Sequence, residues 1–357
     1  MTDNGRRVRA FHGDRAEERA ERAGHWLKAL AGSDASRKWC IENRMPLTKA
    51  SNESVNTAGG FLVPIELDEA IIRVVETLGA FRNADMRPAR SDNKIRPRRV
   101  NGLVASFVSE GDAIPESSFQ LDAVGAALKK MAILARLSSE VFEDSEPDVA
   151  ELVAVEAGYA FAGLEDDCGF NGDGTSTYRG ISGLSAKLAS TKSSIAAASG
   201  HSTFLTLDAT DIGNLMAGVL ATAIPGAKWY VSAVAYAQTF CRLAAVSGGL
   251  TATMRPDGTI NANYLGFPVV FSGKLPNSTS SLSGKAMIFF GNLAMASTIV
   301  EKSDATIIAT SFDRALDSAD VLIRGVRRED IICHMGVSDI TTATGSYAPI
   351  AMLTGTS

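Results

Sequence analysis

The sequence has no CxxC pair; Cys40, Cys168, Cys241 and Cys333 are scattered through 357 residues. That spacing offers no zinc framework and suits free thiols in a reducing compartment. His12, His25, His201 and His334 are equally dispersed, so neither a metal nor a cofactor is expected. There is no cationic excess either. Lysine and arginine total 35 against 40 acids, a net charge of −5, which gives the whole molecule no electrostatic reason to coat nucleic acid. The N-terminus "GRRVRAFHGDRAEERAERAG" has no apolar signal core. The longest apolar stretch, "AMIFFGNLAMASTIV", is shorter than the roughly 20 residues of a membrane span and contains Asn292, so no membrane partner is expected. Also missing are GxSxG, HExxH and any locally supported Cys–His pair. No catalytic residue stands out, and enzymatic activity is not expected.

What is present is a folded composition, 45% hydrophobic and 21% charged, in a chain long enough for one large core or two modest ones. Residues 5–31 read as a polar helix with a small apolar end, Trp26, Leu27 and Leu30. It has little core of its own and reads as an arm or detachable leader. A Ser/Thr/Asn/Gly-rich linker follows. Leu67, Ile71, Val74, Val75 and Leu78 then fall at helical spacing, with Gly79 as the stop. The clearest helix opens at "SEPDVAEL", where Ser145 can cap, Pro147 suits the first turn, and Asp148 and Glu151 complement the positive end. Val149, Leu152, Val153, Ala157, Ala160, Phe161 and Leu164 are its expected apolar stripe. Before it, Leu128, Ile133, Leu134 and Leu137 lie near strand period. From 205 the pattern alternates helix and strand, two long strands follow between 297 and 334, and "TTATGSYAPIAMLTGTS" reads as an unstructured tail.

Between these elements the charge is asymmetric. Arg87, Arg90, Lys94, Arg96, Arg98 and Arg99 face a single acid, Asp92, and the following stretch carries Glu110, Asp112, Glu116 and Asp122 without a base. Broken by Pro88, Pro97 and Pro115 and thinly apolar, this reads as a long projecting hairpin that lies on something else. Arginines neutralise phosphates whatever the base sequence, but no aromatics are interleaved for stacking on bases. Opposite polarity on the returning strand favours a protein partner, and makes these ten residues inter-subunit contact candidates.

The segment "EDDCGFNGDGTSTYRGI" tempts other readings. A calcium loop needs alternating acids ending in a bidentate glutamate, and a phosphate loop of the GxxxxGK[ST] kind needs a lysine; both are missing. Glu165, Asp166 and Asp167 are consecutive, so they fan around a helix end, and a hydrolase built on them with Asp173 is disfavoured. Asp166 and Asp167 are left for contacts with a neighbouring strand or chain. Asn171, Gly172 and Gly174 are expected to supply positive-φ conformations with which the helix stops and reverses around Asp173.

In order along the chain, "TAGGFLVPIELDEAII", "KKMAILARLSSEVFEDSEPDV", "AFAGLEDDCGFNGDGTSTYRGI" and "YLGFPVVFSGKLP" resemble the major capsid proteins of tailed bacteriophages, the Hong Kong-type capsid fold. The resemblance covers roughly residues 57–335 and implies an α+β chain. Its parts would be an N-terminal arm at 1–60, with 1–47 a possible leader, and a helix at 61–82. An extended loop at 83–123 would drape over an adjacent subunit. A peripheral domain at 124–204 and 296–334 would hold a long spine helix on a β-sheet. An axial domain and C-terminal tail would occupy 205–295 and 335–357.

The function implied is a late structural protein that self-assembles through pentamers and hexamers into an icosahedral virion shell. The shell would form in the host bacterial cytoplasm and enclose double-stranded DNA without sequence specificity. Scaffolding and portal proteins are implied partners. Residues 1–47 are short for a complete scaffold, which favours a separate scaffolding protein. The same fold also serves encapsulin-like nanocompartments that enclose protein cargo. Some relatives crosslink a loop lysine to a neighbour's asparagine with help from a glutamate. The lysine position falls at Ile114, the asparagine near Asp320 and the glutamate near Arg327, and none of the three residue types is kept, so a noncovalent shell is expected.

Overall fold

The computed structural model describes residues 9–30, 32–45, 47, 61–62, 64–89, 93–101, 107–108, 116, 120–138, 146–247, 252–254, 260–302, 307–311, 320–334 and 347–357. Four helices organise the first half: α1 (Ala16–Leu30), α2 (Asp34–Glu42), α3 (Ile65–Leu78) and α4 (Glu146–Asn171). The last has 26 residues, a rod of about 39 Å. Beneath it lies a sheet ordered β1 (Phe61–Leu62), β13 (Ile307–Ser311), β14 (Asp320–Cys333), β12 (Ser297–Lys302) and β2 (Asp85–Ala89), with β5 (Lys129–Ser138) also paired to β14. The 14-residue β14 is its axis: β5 runs antiparallel along one edge from Ser138 opposite Asp320 to Lys129 opposite Glu329, while β13 (opposite 322–326) and β12 (opposite 329–333) follow one another along the other edge.

The buried stripe of α4 is the expected one in part: Val149, Val153, Ala157 and Phe161 are buried as expected, and Leu152, Ala160 and Leu164 are not. Ala150, Ala154 and Ala162 are buried as well, whereas Leu152 and Leu164 are 42% exposed and Ala160 is exposed. Small residues decide this. A Cβ on Gly158 would lie 2.4 Å from a Val74 methyl, so α3 packs directly against the α4 backbone, and the helix turns its Ala/Gly column inward. Leu67, Ile71, Val74 and Val75 of α3 are fully buried in that seam. Gly79 caps α3 with φ −73°; what it supplies is room, since a Cβ there would sit 2.8 Å from the Val75 carbonyl oxygen. In β5, neighbouring Ile133 and Leu134 point to opposite faces, and Leu134 is 70% exposed.

The N-terminal region departs from the expected arm. α1 and α2 form a helical hairpin seated on α3 and α4, with Ala20, Ala23, Trp26, Leu27 and Cys40 buried in one cluster with Ile71, Val74 and Val153. Polar contacts fix its entry: the Ala10 and Phe11 amides donate to the Glu151 carboxylate, at 2.6 and 3.3 Å, and Arg22 lies 3.4 Å from Glu66. The apolar end that reads as too small for a core is enough to complete someone else's.

The second half is a mixed seven-stranded sheet. Its order is β6 (Ser194–Ala196), β15 (Ile350–Thr354), β11 (Ala286–Gly291), β7 (Lys228–Val231), β10 (Phe267–Phe271), β9 (Ile260–Tyr264) and β8 (Ala252–Met254). The tail expected to be unstructured supplies β15, whose Ile350, Ala351, Met352 and Leu353 are all buried; a short apolar run between Pro349 and Gly355 is what a fully covered strand looks like. The boundary expected at 204/205 falls too late, because β6 already belongs to this sheet. Phe81, Phe170, Tyr230 and Phe289 join the halves, with Phe170 centroids 5.2, 5.8 and 5.4 Å from the other three rings.

Trp26→Ala is expected to cost about 3–5 kcal/mol, the range for emptying a buried aromatic site. Leu152→Ala on the outer face of α4 should stay within about 0.5 kcal/mol. Denaturant unfolding of the unassembled subunit separates the two; equal losses would mean that the N-terminal hairpin does not cover α4.

Candidate assembly surfaces and a buried ionic joint

The projecting hairpin is shorter than expected at its root. β2 is a sheet strand, parallel to β12, and the free ribbon consists of β3 (Asn93–Asn101) and β4 (Gln120–Ala127), which pair with each other. Lys94 lies opposite Ala126, Arg96 opposite Val124, Arg98 opposite Asp122 and Arg99 opposite Leu121. The register thus brings one basic and one acidic candidate into a cross-strand pair of positions. Arg87, on β2, is half exposed and donates to Asp85 at 2.8 Å, a pairing within its own strand. Glu116 is exposed. Arg90, Glu110, Asp112 and Ile114 lie outside the described residues. Phe107 is fully exposed and Val108 is 39% exposed. The ribbon root is anchored where Ala126 packs with Ala89, Val300 and Ile332.

The acids at the end of α4 do not fan into solvent. The helix continues through them to Asn171, and Glu165 and Asp166 are 0% and 4% exposed. Asp166 accepts from the Ala80 and Phe81 amides at 3.3 and 2.8 Å and from the Ser272 hydroxyl at 2.7 Å. It ties the turn after α3 to β10. Burial pushes its carboxyl up, and those hydrogen bonds oppose the rise. Asp167 receives the Asn171 amide at 2.9 Å, and the same amide donates to the Lys274 carbonyl at 3.0 Å. Of the residues expected to have positive φ, only Gly174 does, at 81°. Gly172 is needed for close approach instead, because a Cβ would lie 2.4 Å from the Cys168 carbonyl oxygen. Asp173 folds the loop by accepting the Thr175 amide at 2.9 Å.

What sequence reading missed is the group around Glu165. Arg82, in the 3-10 turn Phe81–Asn83 between α3 and β2, donates from Nε to Glu165 Oε2 at 2.6 Å and from Nη2 to Glu165 Oε1. Its Nη1 reaches Glu301 Oε2 at 3.4 Å. Arg327 on β14 donates from Nε to Glu301 Oε1 at 2.8 Å and also from Nη2. Glu329, two residues on, places Oε2 3.9 Å from both Arg82 Nη2 and Arg327 Nε. Side-chain exposures are 3% for both arginines, 0% for Glu165, 2% for Glu329 and 20% for Glu301. Burial works against the Arg82 charge, but the surrounding carboxylates outweigh it and hold the guanidinium charged. The clue in the sequence was β14 itself. Ile323, Gly325, Arg327, Glu329, Ile331 and Cys333 share the buried face, so an opposite-sign i, i+2 pair sits inside an apolar row.

Among the described residues, the only metal-like group is His201, Asp208 and Asp211, which sequence spacing left scattered. Its oxygens are already engaged. Asp208 and Asp211 form a reciprocal capping box at the start of α6 (Ala209–Ala217; α5 is Leu184–Leu188). Asp211 also accepts from the Ala198 amide at 2.9 Å and pairs with His201 Nδ1 at 2.6 Å. Burial alone would raise the Asp211 carboxyl; those donors outweigh it and hold it below the usual range.

The sequence profile of the phage capsid family matches residues 59–331. The chain belongs to the phage capsid family. Solved structures agree on its α+β, Hong Kong-type capsid fold. The capsid of an empty GTA particle, computed with C5 symmetry, matches with TM-score 0.56 and 16% identity over 79% of this chain and 90% of that one. The Mycobacterium phage Cain structure matches with TM-score 0.52 and 15% identity over 90% and 99%. The holo-SrpI encapsulin complex from Synechococcus elongatus PCC 7942 matches with TM-score 0.50 and 13% identity over 88% and 94%. No curated protein sequence matches. The family is one of structural proteins, and this member is a capsid shell protein, a component of the virion. The α1–α2 hairpin lies before the family-matched segment, and the buried ionic group lies within it.

Arg82→Met leaves Glu165 buried without its bidentate partner. The expected loss is about 3–5 kcal/mol, that of breaking a buried ion pair from one side, measured by urea unfolding. A loss under about 1 kcal/mol, typical of an exposed pair, would show that the group is solvated.

Proposed function

We propose that this chain is the major capsid protein of a tailed phage, tiling an icosahedral shell of pentamers and hexamers around packaged double-stranded DNA. The observation that carries the reading is the β3–β4 ribbon: two strands anchored at one end, with an exposed Phe107 and no third strand among the described residues. A two-stranded ribbon is marginal alone and finds its missing contacts on a neighbour. Repeated heterologous contact around an axis closes rings, and many modest contacts per subunit give a stable shell. The α4 sheet would be the peripheral domain, and the seven-stranded sheet with α6 the axial domain. The ten charged residues of the hairpin region would set register between neighbours more than affinity. Assembly would take place in the host cytoplasm with scaffolding and portal proteins.

The encapsulin likeness supports a second reading, a compartment around protein cargo. Expression of the full chain with its scaffolding protein should give round, closed particles by negative-stain microscopy. Nuclease-protected DNA in particles from infected cells supports the phage shell, and protein cargo without DNA supports the alternative. A protein that stays monomeric at high concentration with every helper present would rule out both.

The shell is proposed to be noncovalent, because Asp320 stands at the start of β14 where a crosslinking asparagine would be, and Arg327 is committed to Glu301. Mature particles should run as a single subunit band on a denaturing gel. A ladder of multimers would reverse this.

A further inference from the structure

The ionic group joins the spine helix, the turn leading to the hairpin and two strands, and its charges do not balance. Two guanidiniums, Arg82 and Arg327, face three carboxyls, Glu165, Glu301 and Glu329. Neither oxygen of Glu329 has a hydrogen-bond donor, although its side chain is only 2% exposed. Glu165, by contrast, receives two donors from Arg82. Both carboxyls contact the same nitrogen, Arg82 Nη2, and they interact directly. Two buried acceptors facing each other repel unless one of them carries a proton. Adding one proton brings the group to neutrality.

We propose that Glu329 carries a proton in the folded subunit, facing the Glu165 carboxylate, and that this proton stiffens the joint between α4 and the root of the hairpin. The proton resides on Glu329, because Glu165 already accepts from a guanidinium. The charged and titratable groups around Glu329 are known from each packed element. The 3-10 turn brings Arg82; α4 brings Glu165, Asp166 and Cys168; β12 brings Glu301; β14 brings Arg327 and Asp330; β5 brings Lys129. Asp330 is engaged by Lys129 at 2.5 Å and by the Ala127 amide at 2.9 Å, and Asp166 by Ser272 and two amides, so neither supplies the missing donor. Burial first, and the Glu165 charge second, push the Glu329 carboxyl well up, with the two arginines opposing.

The sign follows. A carboxyl held up in the folded state gives stability that is complete below its unfolded value, about 4.3, and that is lost as pH rises toward the folded value. Mild acid therefore tightens this joint, the reverse of what ion-paired carboxylates do.

The test compares full-length wild type with E329Q, a neutral isostere of the protonated acid, and with E301Q. Melting temperature is followed from about pH 4.5 to pH 8, spanning the range above the unfolded glutamate value. E329Q should match wild type at the acid end and melt higher at the alkaline end, while E301Q melts lower at neutral pH. Amide exchange at Phe81–Ala89, compared at one alkaline pH, should be slower in E329Q than in wild type. An E329Q chain that melts lower at neutral pH, or unchanged exchange at 81–89, overturns the proposal. If E329Q does not fold, infrared spectroscopy of wild type decides. A buried protonated-carboxyl band should persist at neutral pH, and its absence overturns the proposal without any variant. Where E329Q does fold, the band should vanish in it, and a band that survives the substitution overturns the assignment.

Discussion

Two arginines held out of water by three carboxyls stand where the spine helix, the hairpin root and the central strand meet, and the rest of the fold is arranged so that they stay there. Arg82 is delivered by a 3-10 turn whose amides are fixed by Asp166 and whose Phe81 ring packs on Gly169 and Phe170. Glu165 comes from the last turns of α4, and Arg327 and Glu329 from the inner face of β14. Moving any of these elements would strand a buried charge, which costs several kcal/mol. An apolar seam tolerates sliding; a seam of fixed charge partners has one register. That restriction fixes the 3-10 turn, and β2 after it, relative to α4 and β14.

The same constraint accounts for what could be foreseen from sequence and what could not. α3 was legible because Leu67, Ile71, Val74 and Val75 bury at helical period, and period survives in a single sequence. Val149, Val153, Ala157 and Phe161 were read correctly into the stripe of α4, but Leu152, Ala160 and Leu164 were misplaced because the stripe also rests on Gly158 and small alanines. A hydrophobic scale favours Leu152 and Leu164, while close packing favours residues that let Val74 approach the backbone. The pairing of Arg82 with Glu165 and Glu301 was invisible because nothing local distinguishes a charge that meets a partner 83 or 219 residues away from one that meets water; only Arg327 and Glu329, inside the apolar row of β14, carried a local sign. Asp320 and Arg327 entered the reading only as positions where crosslinking residues were lacking.

The two ends of the chain show a related limit. "YAPIAMLTG" and "HWLKAL" are short, and each is embedded in polar sequence, so composition assigns them to a tail and an arm. In the fold they complete cores nucleated by other segments. β15 fills the place between β6 and β11, and Trp26 and Leu27 cover the α3–α4 seam. A segment need not have a core of its own to be ordered; it needs a vacancy of matching shape elsewhere, and a vacancy is a property of the three-dimensional fold.

That contrast bears on how the subunit is divided between internal stability and assembly. The N-terminal hairpin, outside the family-matched segment, is spent on the subunit's own core, through buried aromatic and aliphatic contacts. The β3–β4 ribbon is anchored at its root, by Ala126 against Ala89, Val300 and Ile332. The root is thus fixed inside the subunit: β2 follows the 3-10 turn that carries Arg82, and its Ala89 packs on Ala126 near the end of β4. Under the proposed assembly, a ribbon with a fixed base biases heterologous contacts with neighbours toward one geometry. On that proposed assembly, packing and charge pairing inside one subunit carry the instructions for placing the next.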